Sequence, residues 1–402
     1  MTTPLNILII GAGFQNKGAE AMALTFIHEI HQRLYIDTLT VASYSKNELK
    51  AWGSHKCQIG SKQFSFELVH NPSGADKLLG LIACSQSPFW KAWRKADLIV
   101  DLSGFAMSDN RPLKRRLAYT YEICSARLRG KKIALFTQAF GPFNETATRL
   151  LAAISLPLAD SIYVRDEESV KALRGCAFFK RIKKFHTAPD SALLLPNNAH
   201  KPRQTAKAYG IVPNIRLYEK LEHEGRADSY IELLCKVALH ASTQFNSNPA
   251  FIIHEEYPDR KDDRWIAEQC NLKLRSQMTI PVICSLSALE LREQTAGLEF
   301  LFASRYHAIV GAAAQSIPFF ALGWAHKYEM LANDLDANEA SWDGLCGDHD
   351  AIIKRLDELW HQRHLLAEKL ERNVKPLKQE ASRAFDILIR ELSLQPREDD
   401  DD

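Results

Sequence analysis

Short runs of β-branched and aliphatic residues alternate along the chain with longer segments in which apolar residues recur every three or four positions. The runs are "NILII", "TLTVAS", "DLIVDLS", "KIALFTQ" and "SIYVRD", then "KAYGIV", "AFIIHE", "PVICS", "LEFLFAS" and "PFFAL". That β-α-β rhythm predicts open, mostly parallel sheets whose strands are joined by helices. Between the two sets, "LLLPNNAHKPRQTAK" is polar and carries two prolines, so it reads as a linker near residues 196–206. The expected fold class is α/β, with two Rossmann-like domains facing a central cleft. The first covers 1–195 and the second 206–348. Helices follow over 349–394, and the acidic end, 395–402, reads as a solvated, disordered tail.

Composition adds little beyond this. The 402 residues are 46% hydrophobic and 25% charged with a net charge of +2, which fits two ordinary globular cores and names no partner. Eight cysteines show no CxxC pair and no zinc-ligand spacing with histidine, so no metal is expected, and they read as small core residues in a reducing cytoplasm. The opening "MTTPLNILIIGAG" lacks a basic, then long apolar, leader pattern, and no run of about 18 apolar residues offers a membrane span. A cytoplasmic location is the expectation.

In open parallel sheets ligands bind beyond the carboxyl ends of the strands, where loops lead into helix N-termini. After the first strand comes "GAGFQNKGAEAMALTFIHEI", a glycine turn and then a helix with Met22, Phe26, Ile30 and Leu34 at helical spacing. Gly11, Gly13 and Gly18 lack dinucleotide spacing, and "TLTVASYS" ends without a ribose-binding carboxylate. Gly18 is followed by Ala19 and Glu20, not by the Lys and Ser or Thr of a Walker loop. Such a turn either only joins strand to helix or brings backbone N–H groups to a ligand. Further on, Ser103, Gly104 and Asp109 follow a strand, Gln138 ends another, and Arg165 ends a third, with Asp166 as helix N-cap and Gly175 as helix stop. Arg165 has two readings, a pair with a neighbouring carboxylate or a contact for an anion. "FIIHEEYPDRKDD" ends its strand at His254, followed by Glu255, Glu256 and Asp259; the histidine is either a core group or a site residue. In "FASRYHAIVGAAAQSIPFFALGWAHK", Arg305 and His307 sit where a strand meets a helix of small residues, and His326 and Lys327 follow the next strand. Burying an arginine that meets no anion costs several kcal/mol, so Arg305, His307 and Lys327 together are expected to receive an anionic ligand at a helix start.

These stretches together resemble the polysaccharide pyruvyl transferase family, over about residues 6 to 335. The likeness lies in "NKGAEA", "DLIVDLSG", "QAFGP", "VRDEESVKAL", "APDSALLL", the strand ending in His254, "SRYHAIVGAAAQSIP" and the following lysine. Many relatives carry a run of glycines where this chain has "SGFAMSD". The resemblance implies a GT-B-like fold and transfer of a pyruvyl group from phosphoenolpyruvate to two hydroxyls of a sugar, forming a cyclic ketal. The implied acceptor is a bacterial exopolysaccharide, capsule or cell-wall glycan, often lipid-linked. No cofactor is implied beyond phosphoenolpyruvate as co-substrate, and the family's Arg-x-His element falls on Arg305 and His307.

Phosphoenolpyruvate carries a phosphate and a carboxylate, which suit the paired donors of arginine. Arg305 and Arg165 are the expected contacts, with Lys327 third. His307 is the first candidate for proton transfer, and His254 or Glu255 for deprotonating the acceptor hydroxyl. Gly13, Asn16, Gly18, Glu20, Gly104 and Gln138 complete the expected substrate-binding set, while Asp190 is expected to shape a turn. In "RPLKRRLAYTYEICSARLRGKK", Leu113, Leu117, Cys124 and Leu128 share one helical face among many cations, and "FFKRIKKFH" adds four more. That is either a solvated helix or a peripheral contact with anionic membrane. Two rival functions stay open: a glycosyltransferase using a nucleotide sugar, served by Glu329 and Trp324, and a non-catalytic anion-binding protein of the same fold. No recognition motif for nucleic acid accompanies the basic segments.

Overall fold

The structure, a computed structural model, describes residues 4–43, 54–59, 62–72, 86–197, 208–257, 259–323, 327–343 and 348–396. Most of the expected linker, the tail beyond 396, Trp324 and His326 lie outside the described residues. The chain divides into two compact units: Met1–Phe14, Ala19–Leu195 and Gln379–Asp402 form the first, and Gln15–Gly18 with Pro196–Lys378 form the second. The division departs from the expected one in two places. Residues 15–18 of the glycine loop belong to the second unit, and the C-terminal helices are shared between the units instead of standing apart.

The first unit holds β1 (Leu5–Ile10), β2 (Ile36–Ser43), β3 (Ser54–Ile59), β4 (Lys62–His70), β5 (Leu98–Asp101), β6 (Lys132–Gln138), β7 (Ser161–Val164) and β8 (Phe185–Thr187). They form one sheet in the order β3-β4-β2-β1-β5-β6-β7-β8, parallel throughout except for the β3–β4 pair. Its helices are α1 (Lys17–Arg33), α2 (Pro88–Lys95), α3 (Leu113–Leu128), α4 (Thr146–Ser155) and α5 (Glu167–Arg174). The central strands are continuous apolar runs because helices cover both faces of the sheet. On one face Phe89, Trp90 and Trp93 of α2 join Leu8, Ile10, Ile99, Ile133 and Ile162 in a buried cluster. Elsewhere Phe26 of α1 and Phe136 of β6 meet Phe385, with ring centroids 5.6 Å and 4.7 Å away, so the last helix of the chain returns to the first unit. Each such ring removed from water contributes about 1.5–3 kcal/mol.

The second unit holds β9 (Ala208–Val212), β10 (Asn248–Ile252), β11 (Val282–Ile283), β12 (Phe300–Ala303), β13 (Phe319–Gly323) and β14 (Ser341–Asp343), in the all-parallel order β11-β10-β9-β12-β13-β14. Its helices are α6 (Ile215–His223), α7 (Ala227–Thr243), α8 (Asp263–Leu274), α9 (Ala288–Ala296), α10 (Tyr306–Ala313), α11 (Lys327–Asp334) and α12 (His349–His361), and α13 (Arg363–Glu391) runs on into the first unit. Strand order reverses direction between β1 and β5 in the first sheet and between β9 and β12 in the second. Those are the switch points where a crevice opens beyond the strand ends.

All ten apolar runs form strands. The four unanticipated strands differ in kind: in β4, Phe64, Phe66 and Leu68 are buried while Gln63, Ser65 and Glu67 are exposed, a period-two pattern and not an unbroken apolar run. Strands β8 and β14 are three residues each, too short to carry a period. Cys235 and Cys270 are buried as expected, whereas Cys124, Cys176 and Cys284 are half-buried thiols.

Candidate functional site

In the second unit, the loops after β9, β10 and β12 converge at the switch point. Asn214, the N-cap of α6, donates through Nδ2 to the Ser304 carbonyl at 2.6 Å, and the Tyr328 hydroxyl donates to the same carbonyl at 2.8 Å. Tyr230 donates to Ser304 Oγ at 3.0 Å and accepts from Asn214 N at 2.9 Å. These bonds fix where β12 ends and α10 begins. Arg305 is the N-cap of α10 but makes no side-chain capping bond, so its side chain is used elsewhere.

It is used on two carboxylates. Arg305 Nε donates to Asp263 Oδ2 at 2.9 Å, Nη2 donates to Asp263 Oδ1, and Nη1 meets Glu255 Oε2. Asp263 also accepts from the backbone N–H of Ile215 at 2.8 Å and of Glu255 at 3.0 Å. Glu255 further accepts from Arg216 Nη2 at 3.0 Å and from the Tyr257 hydroxyl. Burial raises the Glu255 carboxyl, but Arg305 and Arg216 outweigh it and hold it down at about 2. Burial pushes Asp263 up to about 6 against the pull of Arg305, which leaves it ionised at neutral pH. Burial works against the Arg305 charge as well, yet Asp263 and Glu255 hold its pKa above the ordinary arginine value. Arg305, expected to receive an anionic ligand, thus already meets two anions of its own chain, Asp263 and Glu255. A carboxylate held this low is also a poor proton acceptor, which counts against Glu255 as the base.

Beside this knot lie the two histidines. Residues 15–18 run antiparallel to the loop after β10, with Lys17 N donating to the His254 carbonyl at 3.0 Å and a bridge between Asn16 and Glu255. Asn16 Oδ1 accepts from Gly18 N at 3.0 Å, which curls the segment back on itself. A Cβ on Gly18 would lie 2.1 Å from His307 Nδ1, so the imidazole rests directly on the glycine. His254 is half-buried. Burial, and then the positive charge of Arg305 with His307 and Lys17, drives its pKa down to about 3, so it is neutral at physiological pH. Lys327 opens α11, with Nζ 4.9 Å from the Tyr306 ring centroid and 5.6 Å from that of Tyr328.

The remaining expected residues lie in the first unit. Gln138 is fully buried, donating through Nε2 to the Asp101 carbonyl at 2.8 Å and Asp101 Oδ1 at 3.0 Å, and accepting from the Tyr119 hydroxyl at 3.1 Å. Thr137 before it has φ 45, in the left-handed region, at an irregularity in the β6–β7 pairing. A β-branched residue adopts that conformation at a cost of ~1–3 kcal/mol. Gln138 is thus a structural tie inside the sheet. Arg165 Nη1 bonds Asp190 Oδ2 at 3.0 Å with both side chains buried, the first of its two readings. Asp190 Oδ1 accepts from Ala192 N at 3.0 Å and so shapes a turn as expected. Asp166 caps α5 through Ser169 N at 2.7 Å. Gly104 has φ 67, and its Cβ position lies 3.8 Å from Arg165 Nη1. Gly13 is half-buried, and Glu20 is fully buried in the first turn of α1.

The second unit thus brings together Asn16, Gly18, His254, Glu255, Arg305 and His307, while Arg165, Gln138, Gly104, Gly13 and Glu20 stand in the first. Asp263, Arg216, Tyr257 and Lys17 were missed. Lys17 stood between two named residues, but Asp263 carries no signal in "RKDDRW" that separates it from its capping neighbour Asp262. Among the described residues no three His, Cys, Asp or Glu side chains gather where they could hold a metal ion.

Comparison with solved structures shows the fold. The chain is similar to UDP-GlcNAc 2-epimerase from Methanocaldococcus jannaschii, at 13% identity and TM-score 0.59 over 96% of this chain and 99% of that one. The S. aureus MnaA–UDP co-structure matches at 11% identity and TM-score 0.61, covering 97% of both chains. UDP-GlcNAc 2-epimerase from Neisseria meningitidis bound to UDP-GlcNAc matches at 12% and TM-score 0.57, over 96% of this chain and 99% of that one. Two parallel-sheet α/β units of this kind are the GT-B type of fold. No curated protein matches the sequence. The family profile described as polysaccharide pyruvyl transferase matches residues 16–326, a span that runs from Asn16 past Arg305 and His307, and the chain belongs to that family.

Proposed function

We propose that this transferase moves a pyruvyl group from phosphoenolpyruvate onto two hydroxyls of a sugar in a bacterial glycan, and that the second unit holds the donor. The supporting observation is the seating of His307, in the first turn of α10, against Gly18 and next to Lys17, whose N–H bonds the His254 carbonyl; Arg305, His307 and Lys17 add to burial in lowering the His254 pKa. An anion entering there meets these positive groups and the positive end of the helix together. Lys327 stands at the start of α11 beside Tyr306, the first residue of α10.

In the reaction, C3 of the enol takes a proton, and C2 becomes an oxocarbenium-like centre that one sugar hydroxyl attacks. Phosphate then leaves from C2 with its bridging oxygen, and the second hydroxyl closes the ketal as both hydroxyl protons depart. His307 is assigned the proton transfer to C3. Neutral His254 is assigned the acceptor hydroxyl: a bound anion offsets the Arg305, His307 and Lys17 charges, the part of its lowered basicity that does not come from burial. Arg305 is a positioning residue: it orients Glu255 and Asp263 and contributes its charge through them. Asn16 and Gly18 serve this donor half. Phosphate release measured against a panel of glycans, with mass spectrometry for the added pyruvyl ketal, tests the reading. Release of a nucleoside diphosphate from a sugar nucleotide, with no ketal formed, would overturn it.

A further inference from the structure

Seven large apolar side chains are exposed among the described residues, and five of them, Leu113, Leu117, Leu128, Leu150 and Ile154, stand on α3 and α4. These helices pack side by side and are tied where Arg116 Nη1 meets Glu145 Oε2 at 2.5 Å and Thr148 Oγ1. The buried side of α3 is Tyr119, Thr120, Ile123 and Ala126. The leucine face therefore points to solvent, with Leu117 50% and Leu128 85% exposed. An amphipathic helix that only covered a sheet would turn that face inward.

Charge around this face is one-sided. From Asp109 to Asp160 the chain carries nine Lys and Arg against four carboxylates, in a protein whose overall balance is 51 to 49. Of those four, Glu122 is buried, Glu145 is bonded to Arg116, Asp109 lies 3.9 Å from Arg116 and Asp160 lies 3.6 Å from Arg127. Lys114, Arg115, Arg127, Arg129 and Arg149 are exposed alongside the leucines. The 3₁₀ turn Ala177–Arg181, packed on the turn Leu156–Leu158 that ends α4, extends the surface with exposed Lys180, Arg181 and Lys183.

We propose that the outer face of α3 and α4 docks on an anionic lipid bilayer. Leucines interleaved with cations match the acyl boundary and the headgroup phosphates of such a surface. A polyanion without an apolar phase, such as nucleic acid, leaves the leucines unused, and a second copy of the same face sets cation against cation. No helix among the described residues is long and apolar enough to cross a membrane, so this docking is peripheral. It stands on the surface alone and does not depend on the donor chemistry.

The test is co-sedimentation of the full chain with vesicles of phosphatidylglycerol and phosphatidylcholine, and with phosphatidylcholine alone. The unaltered protein should bind only the anionic vesicles and be released at about 0.5 M salt. Leu113→Ser with Leu117→Ser, and separately Lys114→Glu with Arg115→Glu, should each weaken binding at least about tenfold while the melting temperature holds. No binding at low salt would overturn the proposal. So would binding to which the leucine pair is indifferent, which would mark a polyanion site, or loss of a dimer in the leucine variant with no vesicle binding by either protein.

Discussion

The imidazole of His307 occupies the space a side chain at residue 18 would need, with Nδ1 2.1 Å and Cγ 2.3 Å from the Cβ position of Gly18. Gly18→Ala must therefore displace the ring or the loop that carries it. The expected outcome is a fall in kcat/KM of roughly a hundredfold, because a misplaced catalytic group loses near-attack geometry. In a His307→Gly background the same alanine should do no further harm to activity, a non-additivity that a double-mutant cycle reads directly. Additive losses would show that the two residues act apart.

Arg305 joins two buried carboxylates, Asp263 and Glu255. Removing it leaves the Asp263 charge without a cation and Glu255 with Arg216 alone, so Arg305→Ala should destabilise the protein by ~3–5 kcal/mol in urea unfolding. Arg305→Lys should fall between, since an ammonium lacks the fork that bonds Asp263 through two nitrogens. An unchanged unfolding midpoint with lost donor binding would instead make Arg305 a plain ligand contact.

Protonation of His254 should weaken the second unit in a defined window. His254 takes a proton near 6.5 when unfolded but resists until about 3 when folded, so the unfolded chain binds more protons there between those values and is favoured as pH falls. Glu255 adds the same sign of change between 4.5 and about 2, whereas Asp263, raised from 3.8 to about 6, acts with the opposite sign between those values. His254→Gln should therefore lose less stability than the unaltered protein on acidification between about pH 6 and 5, below the unfolded value. Binding of phosphoenolpyruvate near pH 6 should take up protons, because the anion raises His254; calorimetry in buffers of different ionisation enthalpy reads the uptake.

Gln138 bridges Asp101 and Tyr119 inside the first sheet. Gln138→Leu should cost ~1–3 kcal/mol of stability, the penalty for leaving buried polar groups unmatched, while leaving the KM for donor unchanged. A raised KM at full stability would return Gln138 to the binding surface.

What the sequence disclosed and what it withheld separate by range. Apolar runs such as "FLFA" and "SIYV" announce central strands because both faces are covered, and the Asp166 cap is a contact three residues long. The partners of Arg305 lie 42 and 50 positions back in the chain, at Asp263 and Glu255, and only the β10–β9–β12 arrangement brings them together. For the same reason an arginine expected to await a ligand proved to be matched from within. The crossing of residues 15–18 to the second unit was equally hidden, since nothing in "QNKG" names the strand end it pairs with.

The central claim is that the His254–His307 corner of the second unit receives phosphoenolpyruvate. Titration calorimetry with phosphoenolpyruvate and with UDP-GlcNAc on the unaltered protein and on His307→Ala tests it most directly. The expected result is one phosphoenolpyruvate site, weakened at least about tenfold in a folded His307→Ala protein, and no heat from UDP-GlcNAc. Saturable UDP-GlcNAc binding with no response to phosphoenolpyruvate, or phosphoenolpyruvate binding indifferent to His307→Ala, would contradict the account.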